Sequence, residues 1–340
     1  MDPFTHALSG AAVSRAFSRK QPAEGRFTAR ERLLLGAAAA LFPDSDWIIR
    51  LFADELVYLN LHRGVTHSIL MLPFWALLLG WLVARFWPRP RDWREAAVIV
   101  ALGIGIHILG DFITNYGTQL FAPFSAYPLA FPSTFIIDPW MTTFLLAGVA
   151  LAWFQGRRLP ARIGLGLAVG LVLFQGIMKL QALNVGEAEA EARGLHAAPV
   201  HAMPQPASPL HWRVILETES GYLEAHLGFL RQAGDRDEAV NPVRRHWQTF
   251  QPPHALQWRS YSRFGEDAFA GEAWQREEFR GFREFAAMPY LWALQEHDGK
   301  RCAVFTDLRF RVEGMERSPF RFAMCRDESG AWYRKRIGPW

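Results

Sequence analysis

The chain has 340 residues, is 50% hydrophobic and 21% charged, and carries a formal net charge of +4. Much of its basic charge lies between apolar segments, where it orients a membrane protein, so the positive balance is not read as nucleic-acid affinity. The two cysteines, Cys302 and Cys325, lie far along the chain from the His and Asp residues discussed below, which disfavours a thiolate-built site there.

Met1-Asp2-Pro3 is acidic where a cleavable signal would be basic, so the first apolar segments are expected to remain in the protein. Residues 4–17 and 33–42 are apolar but short, and are expected to form tilted or partly inserted helices. Pro43-Asp44-Ser45-Asp46 ends the second of them. Residues 68–87, 96–113, 135–154 and 163–183 approach or reach the roughly 20 apolar residues of a spanning helix. The expected fold is therefore an α-helical polytopic membrane domain over 1–183, with about four spanning helices plus two short N-terminal ones. A helical, then Pro-rich linker is expected over 184–209, and a small soluble α+β domain over 210–340. Alternation there predicts strands at 211–217, 222–229 and 302–312, with 320–325 and 331–336 completing an antiparallel sheet and a helix over 275–287. The histidines of this half are dispersed and form no catalytic constellation. Cys302 and Cys325 fall on neighbouring expected strands, either as a disulfide in an oxidising compartment or as two buried thiols.

Arg and Lys cluster at 15–32, 85–94 and 157–162, which the positive-inside rule places on the cytoplasmic side. Asp111 lies seventeen residues beyond Arg94, roughly 25 Å of helix. The same alternation brings His6, Asp44, Asp46, His62, His67, Asp111 and Asp138 to the opposite face, with His107 one turn deeper. Ionisable groups at membrane depth mark function by default, and imidazoles with carboxylates are the ligand set of zinc and similar ions. Polar residues merely collecting at helix ends are the alternative.

His107-Ile-Leu-Gly-Asp111 puts two ligand types four residues apart on one face of an apolar helix. Gly103, Gly105 and Gly110 thin that helix for close packing. A polar pair hydrogen-bonded between helices is the other reading. His62-Arg63-Gly64-Val65-Thr66-His67-Ser68 suits a turn feeding a helix, with Gly64 at the bend and Thr66 as cap. Arg63 there reads as a clamp for phosphate or carboxylate, or else as a partner of a lipid headgroup or Asp44. Of Asp44 and Asp46, one would bind metal while the other orients a histidine. Asp138 before Pro139 is a reserve ligand, a general base beside Asp46, or a plain helix-start aspartate. The aromatic loop 117–124 reads as interfacial anchoring or as an entry for an acyl chain. No His-Glu-x-x-His, Gly-x-Ser-x-Gly or P-loop motif occurs, which disfavours the reactions those motifs support.

The segments Met1-Asp2-Pro3-Phe4-Thr5-His6, Phe42-Pro43-Asp44-Ser45-Asp46, 62–68 and His107-x-x-x-Asp111 together resemble the YdjM-type family. Those are bacterial inner-membrane proteins described as LexA-regulated, membrane-bound metal-dependent hydrolases, and the likeness covers roughly the first 180 residues. The motif order is also similar to zinc-dependent phospholipase C and its single-strand nuclease relatives. That likeness implies His6, Asp44 or Asp46, His67, His107 and Asp111 as ligands, to which His62 is added from its place in the turn. The phospholipase pattern uses a free N-terminal residue and further His and Glu ligands; here no His occurs between His107 and His196, so one or two ions are expected rather than three.

The expected activity is hydrolysis of a phosphoester or phospholipid-like substrate by metal-activated water, with membrane lipid as partner, no nucleic acid, and both site and C-terminal domain on the non-cytoplasmic side. Asp46, Arg63 and Asp138 are the candidate catalytic residues. A metal-binding or transport protein using the same groups is the alternative, but a transport path needs ligands through the full membrane depth, and only His107 lies inside. A scaffold whose membrane half has lost activity is a third reading.

Overall fold

The computed structural model describes residues 1–18, 25–230, 246–297, 299–311 and 319–338. It divides into two units: Met1–Ala53 with Leu61–Ile177, and Asp54–Asn60 with Met178–Trp340.

The first unit is helical. Its elements are α1 (Pro3–Ala16), α2 (Ala29–Leu41), a 3-10 turn at Pro43–Leu51, a second at Val65–His67, α4 (Leu72–Phe86), α5 (Trp93–Phe112), α6 (Pro139–Gln155) and the first part of α7 (Leu159–Ala192). The short α3 (Glu55–Leu61) intervenes and, through Asn60, belongs to the second unit. Local chemistry sets the starts. Asp2 accepts the Thr5 amide ahead of Pro3, Thr28 and Glu31 form a reciprocal capping box, and Asp92 caps α5.

Small residues let the backbones meet. A Cβ on Gly10 would lie 2.2 Å from the Gly36 carbonyl oxygen, and one on Gly103 would lie 2.6 Å from Ala39 Cβ. α1, α2 and α5 therefore pack at backbone contact, which carries His6, the residues after α2, and His107 toward one another. Leu35, Ala39, Ile99, Val100 and Ile104 build the core of α2 and α5, while Leu8, Ala12, Met141 and Leu145 join α1 to α6.

α5 and α7 are long and apolar enough to cross a membrane, and a third span arises if α3 through His67 and α4, bent by 73°, count as one. α4 and α6 have 15 and 17 residues, shorter than the standard span. The helix expected from residue 68 begins only at Leu72. No side chain caps it, and Thr66 Oγ1 instead meets His67 Nδ1 at 3.0 Å.

The second unit holds two four-stranded antiparallel sheets. The first is β1 (Val200–Gln205), β2 (Ser208–Glu217), β3 (Gly221–Gly228) and β4 (Arg259–Ser262), in that order. The second is β5 (Pro289–His297), β6 (Lys300–Asp307), β7 (Arg321–Arg326) and β8 (Trp332–Ile337), also in sequence order. Met178 and Ala182 of α7 pack on Trp212, Val214 and Leu227, while Met203, Ile215 and Tyr222 meet Met288, Tyr290 and Leu308.

The segment 184–209 carries the end of α7 and β1 rather than a loose Pro-rich stretch. Pro204 is accommodated because β1 is an edge strand, where a missing amide donor costs little. Of the helix expected over 275–287, the structure forms a 3-10 turn at Glu277–Phe279 and the short α9 (Arg280–Phe285); α8 (Ala268–Gln275) ends where it was expected to begin. β6 ends at Asp307, whose side chain caps the next turn; Val312, the last residue of the expected strand, lies outside the described residues. Cys302 and Cys325 face each other across β6 and β7 and form a disulfide.

Glu224 is enclosed in this unit, with Arg311 Nη1 at 2.7 Å and Arg213 Nη1 and His226 Nε2 each at 3.1 Å. Burial pushes its carboxyl up, but Arg213, His226 and Arg311 outweigh that and hold it down at about 2. A carboxyl lowered from 4.5 contributes stability above that pH and loses it as pH falls toward 2. Acid unfolding of the full chain, followed by fluorescence, is expected to steepen in that window and to flatten in Glu224→Gln. Superimposable acid transitions would contradict this.

Candidate metal centre

α5 presents His107 and Asp111 one turn apart, both fully buried. The turn after α2 brings Asp44, and the turn at Val65–His67 brings His67, also without exposure. Asp44, His67, His107 and Asp111 offer one ligand atom each, all within 4.8 Å of one another. His67 Nε2 and His107 Nε2 are 3.0 Å apart. Each lies 3.6 Å from Asp44 Oδ1 and 3.3 Å from Asp111 Oδ2. Ligands about 2.0–2.2 Å from a tetrahedral zinc ion are separated by roughly 3.3–3.6 Å, and the four histidine–carboxylate distances fall in that range, while the two imidazole nitrogens stand closer together.

The tautomers agree with that reading. His107 Nδ1 lies 2.6 Å from the Ala40 carbonyl, which can only accept, so the proton sits on Nδ1 and Nε2 offers a lone pair. His67 Nδ1 faces Thr66 Oγ1 at 3.0 Å and Asp46 Oδ2 at 3.6 Å, which favours the same arrangement. Two lone pairs beside two carboxylates repel without a shared cation. Asp111 Oδ2 is buried without a hydrogen-bond partner, so it is an orphaned acceptor aimed into the cluster. These four residues have the composition and spacing to hold a metal ion.

Asp111 is divided between two tasks. Its Oδ1 receives the Met1 α-amino nitrogen at 2.5 Å, Arg63 Nη2 at 2.9 Å and His6 Nε2 at 3.1 Å. Those donors hold the carboxylate so that Oδ2 turns to the histidines. The side chain of Asp44 is 28% exposed, so its edge is where the cluster meets its surroundings. Burial opposes ionisation of Asp44, but His67 and His107 outweigh it and hold the carboxyl down at about 2.

The remaining sequence candidates take other positions. His6 stacks on His107 with ring centroids 3.7 Å apart and bonds Asp111, so it braces ligands instead of joining the four. His62 also stands outside the four, because its Nδ1 is 2.8 Å from Asp46 Oδ1. Asp46 accepts the Arg63 amide as well, at 3.0 Å, and so orients the turn instead of standing free as a base. Arg63 was expected to clamp a substrate anion. Its guanidinium instead pairs with Asp111, donates to Thr114 Oγ1 at 3.1 Å and lies over the Tyr116 ring. Asp138 caps α6 through the Trp140 and Met141 amides and accepts Gln175 Nε2 at 2.6 Å, a helix-start role.

Three contributions escaped sequence reasoning. The Met1 amine and the Ala40 carbonyl are backbone groups with no side-chain signal, and Thr114 is an ordinary residue one turn past Asp111.

A curated relative, YfhP of Bacillus subtilis (strain 168), described as an uncharacterized protein, is 30% identical over 186 residues. That match covers 53% of this chain and 55% of the relative, so the chain spans about half the length of the curated relative it matches. No solved structure is similar enough to count as a match. The family model of the YdjM inner membrane protein covers residues 1–182, more than half of the sequence and every residue of the cluster, so the chain belongs to the YdjM inner membrane protein family.

Proposed function

We propose that the chain is a membrane-bound, metal-dependent hydrolase that takes one zinc ion on Asp44, His67, His107 and Asp111. The observation that carries this reading is the convergence of four donor atoms within 4.8 Å of one another, among them the orphaned Asp111 Oδ2. A divalent ion held by these four residues would supply Lewis acidity and bring the ionisation of a bound water toward neutral pH. His62 is the proton-handling residue. His62 Nδ1–H donates to Asp46 Oδ1, a tautomer that puts the ring's lone pair on Nε2, and the His62 ring centroid is 5.8 Å from that of His67. Asp46 and Arg63 act by orientation, and Asp138 serves the α6 start. The substrate class is a phosphoester, with phospholipid-like amphiphiles favoured by the membrane setting.

In this reading α4, α5, α6 and α7 all cross the inner membrane. The arginines at 85–94 and 157–162 are cytoplasmic, and the far end of α5 is non-cytoplasmic. The Cys302–Cys325 disulfide supports an oxidising location for the C-terminal unit.

The test is hydrolysis of bis-(p-nitrophenyl) phosphate and phospholipid vesicles by detergent-purified protein. Wild type is expected to turn over a phosphodiester, lose activity to a chelator and regain it with zinc. His62→Ala should be at least about 100-fold slower while keeping its zinc, in line with the usual contribution of a general base. Zinc-loaded protein inert toward phosphoesters would overturn the hydrolase and favour a membrane metal-binding or transport role.

A further inference from the structure

Asp54–Asn60 groups with the C-terminal unit, while the residues on either side of it belong to the membrane unit. Leu56 is buried there. A Cβ built on Gly281 of α9 has Leu56 atoms as its three nearest neighbours, the closest at 3.1 Å. Asn60 Nδ2 donates to the Gly281 carbonyl at 2.8 Å and to the Leu56 carbonyl at 2.9 Å. Arg334 pairs with Asp54 at 2.6 Å and Arg336 with Glu55 at 2.7 Å.

Two residues beyond Asn60 the chain reaches His62, then Arg63, and at the end of the same turn His67. Two residues span at most about 7 Å, so a displacement of α3 by a few ångströms leaves little slack before the ligand-bearing turn. That turn is also conformationally demanding. Arg63 has φ of 64°, a left-handed backbone that persists only when its surroundings hold it. Its hydrogen bonds to Asp46 and Asp111 hold one side, and α3 is the covalent lead-in on the other.

We propose that the C-terminal unit is a positioning clamp for the metal centre: by gripping Leu56 and Asn60 it fixes the register of the 62–67 turn, and with it His67. This rests on the metal-centre reading above. The exposed ion pairs add modestly, since such pairs are individually weak. The packing of Leu56 against Gly281 is the principal grip, because a buried leucine leaves a costly cavity when it is displaced. Leu56, Asn60 and Gly281 are thus positioning residues, acting on the metal through the chain between them.

The experiment uses the full chain in detergent, with zinc titration and hydrogen exchange of the 62–67 amides as readouts. Gly281→Leu drives a side chain into the place of Leu56 without altering any residue of the metal cluster. It is expected to weaken zinc binding at least about tenfold and to speed exchange at 62–67, and adding Leu56→Ala should restore both. If Gly281→Leu does not fold, the smaller Gly281→Val provides the same comparison, weakening zinc binding alone and recovering it when combined with Leu56→Ala. Unchanged zinc affinity and exchange in the single variants, or no recovery in the doubles, would overturn the clamp while leaving the metal centre standing. Wild-type protein that binds no zinc would overturn the metal centre itself, and the clamp with it.

Discussion

Asp111→Ala is expected to empty the metal centre and also to destabilise the helical unit. The metal loss follows from removing one of four donors. Changing residues that merely orient ligands commonly costs 10–100-fold in affinity, so removing a ligand should cost at least about 100-fold. The stability loss has a separate origin. Without the carboxylate, Arg63 and the Met1 amine remain buried beside each other with no counter-charge, and uncompensated buried charge of this kind costs about 3–5 kcal/mol. His67→Ala removes a ligand and leaves that charge cluster intact, so it should lose metal with a smaller drop in melting temperature. Metal analysis of the purified variants beside thermal melts tests this. Zinc retained in both Asp111→Ala and His67→Ala would sink the site.

Arg63→Ala is expected to lower stability by about 3–5 kcal/mol and to weaken metal binding indirectly. Arg63 is 4% exposed, and its loss leaves Asp111 with less positive charge to balance its burial. It also loses the stacking on Tyr116. Alanine keeps the penalty of a left-handed backbone at this position, whereas Arg63→Gly relieves it. The glycine variant should therefore be the more stable of the two by about 1 kcal/mol, although both lack the ion pair. Arg63→Lys should be intermediate, because an ammonium ion supplies charge without the guanidinium fork. Chemical unfolding in mild detergent ranks the series, and an alanine variant as stable as wild type would remove the assigned role.

The parts of the site that were legible in sequence share one property. His107 and Asp111 are ionisable residues on an otherwise apolar helix at a spacing that puts them on one face, and neither patterning nor propensity accounts for them otherwise. Asp44 and His67 were legible because membrane alternation returns them to the same side. The division of labour among neighbours was not legible. Asp44 faces the cluster while Asp46 holds His62 and the Arg63 amide, and two aspartates two residues apart differ only in how the 3-10 turn aims them. Arg63 looked like an anion clamp because sequence shows a charge without showing the carboxylate that reaches it from another helix.

The same limit governs the fold. Caps such as Asp2, Thr28 and Asp92 announce themselves locally. The late start of α4 depends on a turn that serves the site, and β4 and β5 carried too little alternation to be expected as strands. The prolines of 198–209 read as a linker, although Pro204 sits in β1, an edge strand.

His67, His107 and Asp111 have no exposure, and Asp44 alone stands at the margin of the cluster. Among the four, only Asp44 gives an ion held there a route out, so leaving would require that carboxylate to move while the three buried donors stay in place. If that passage were slow, the ion held would be fixed when the helices first assemble, and later changes in metal supply would act on newly made molecules.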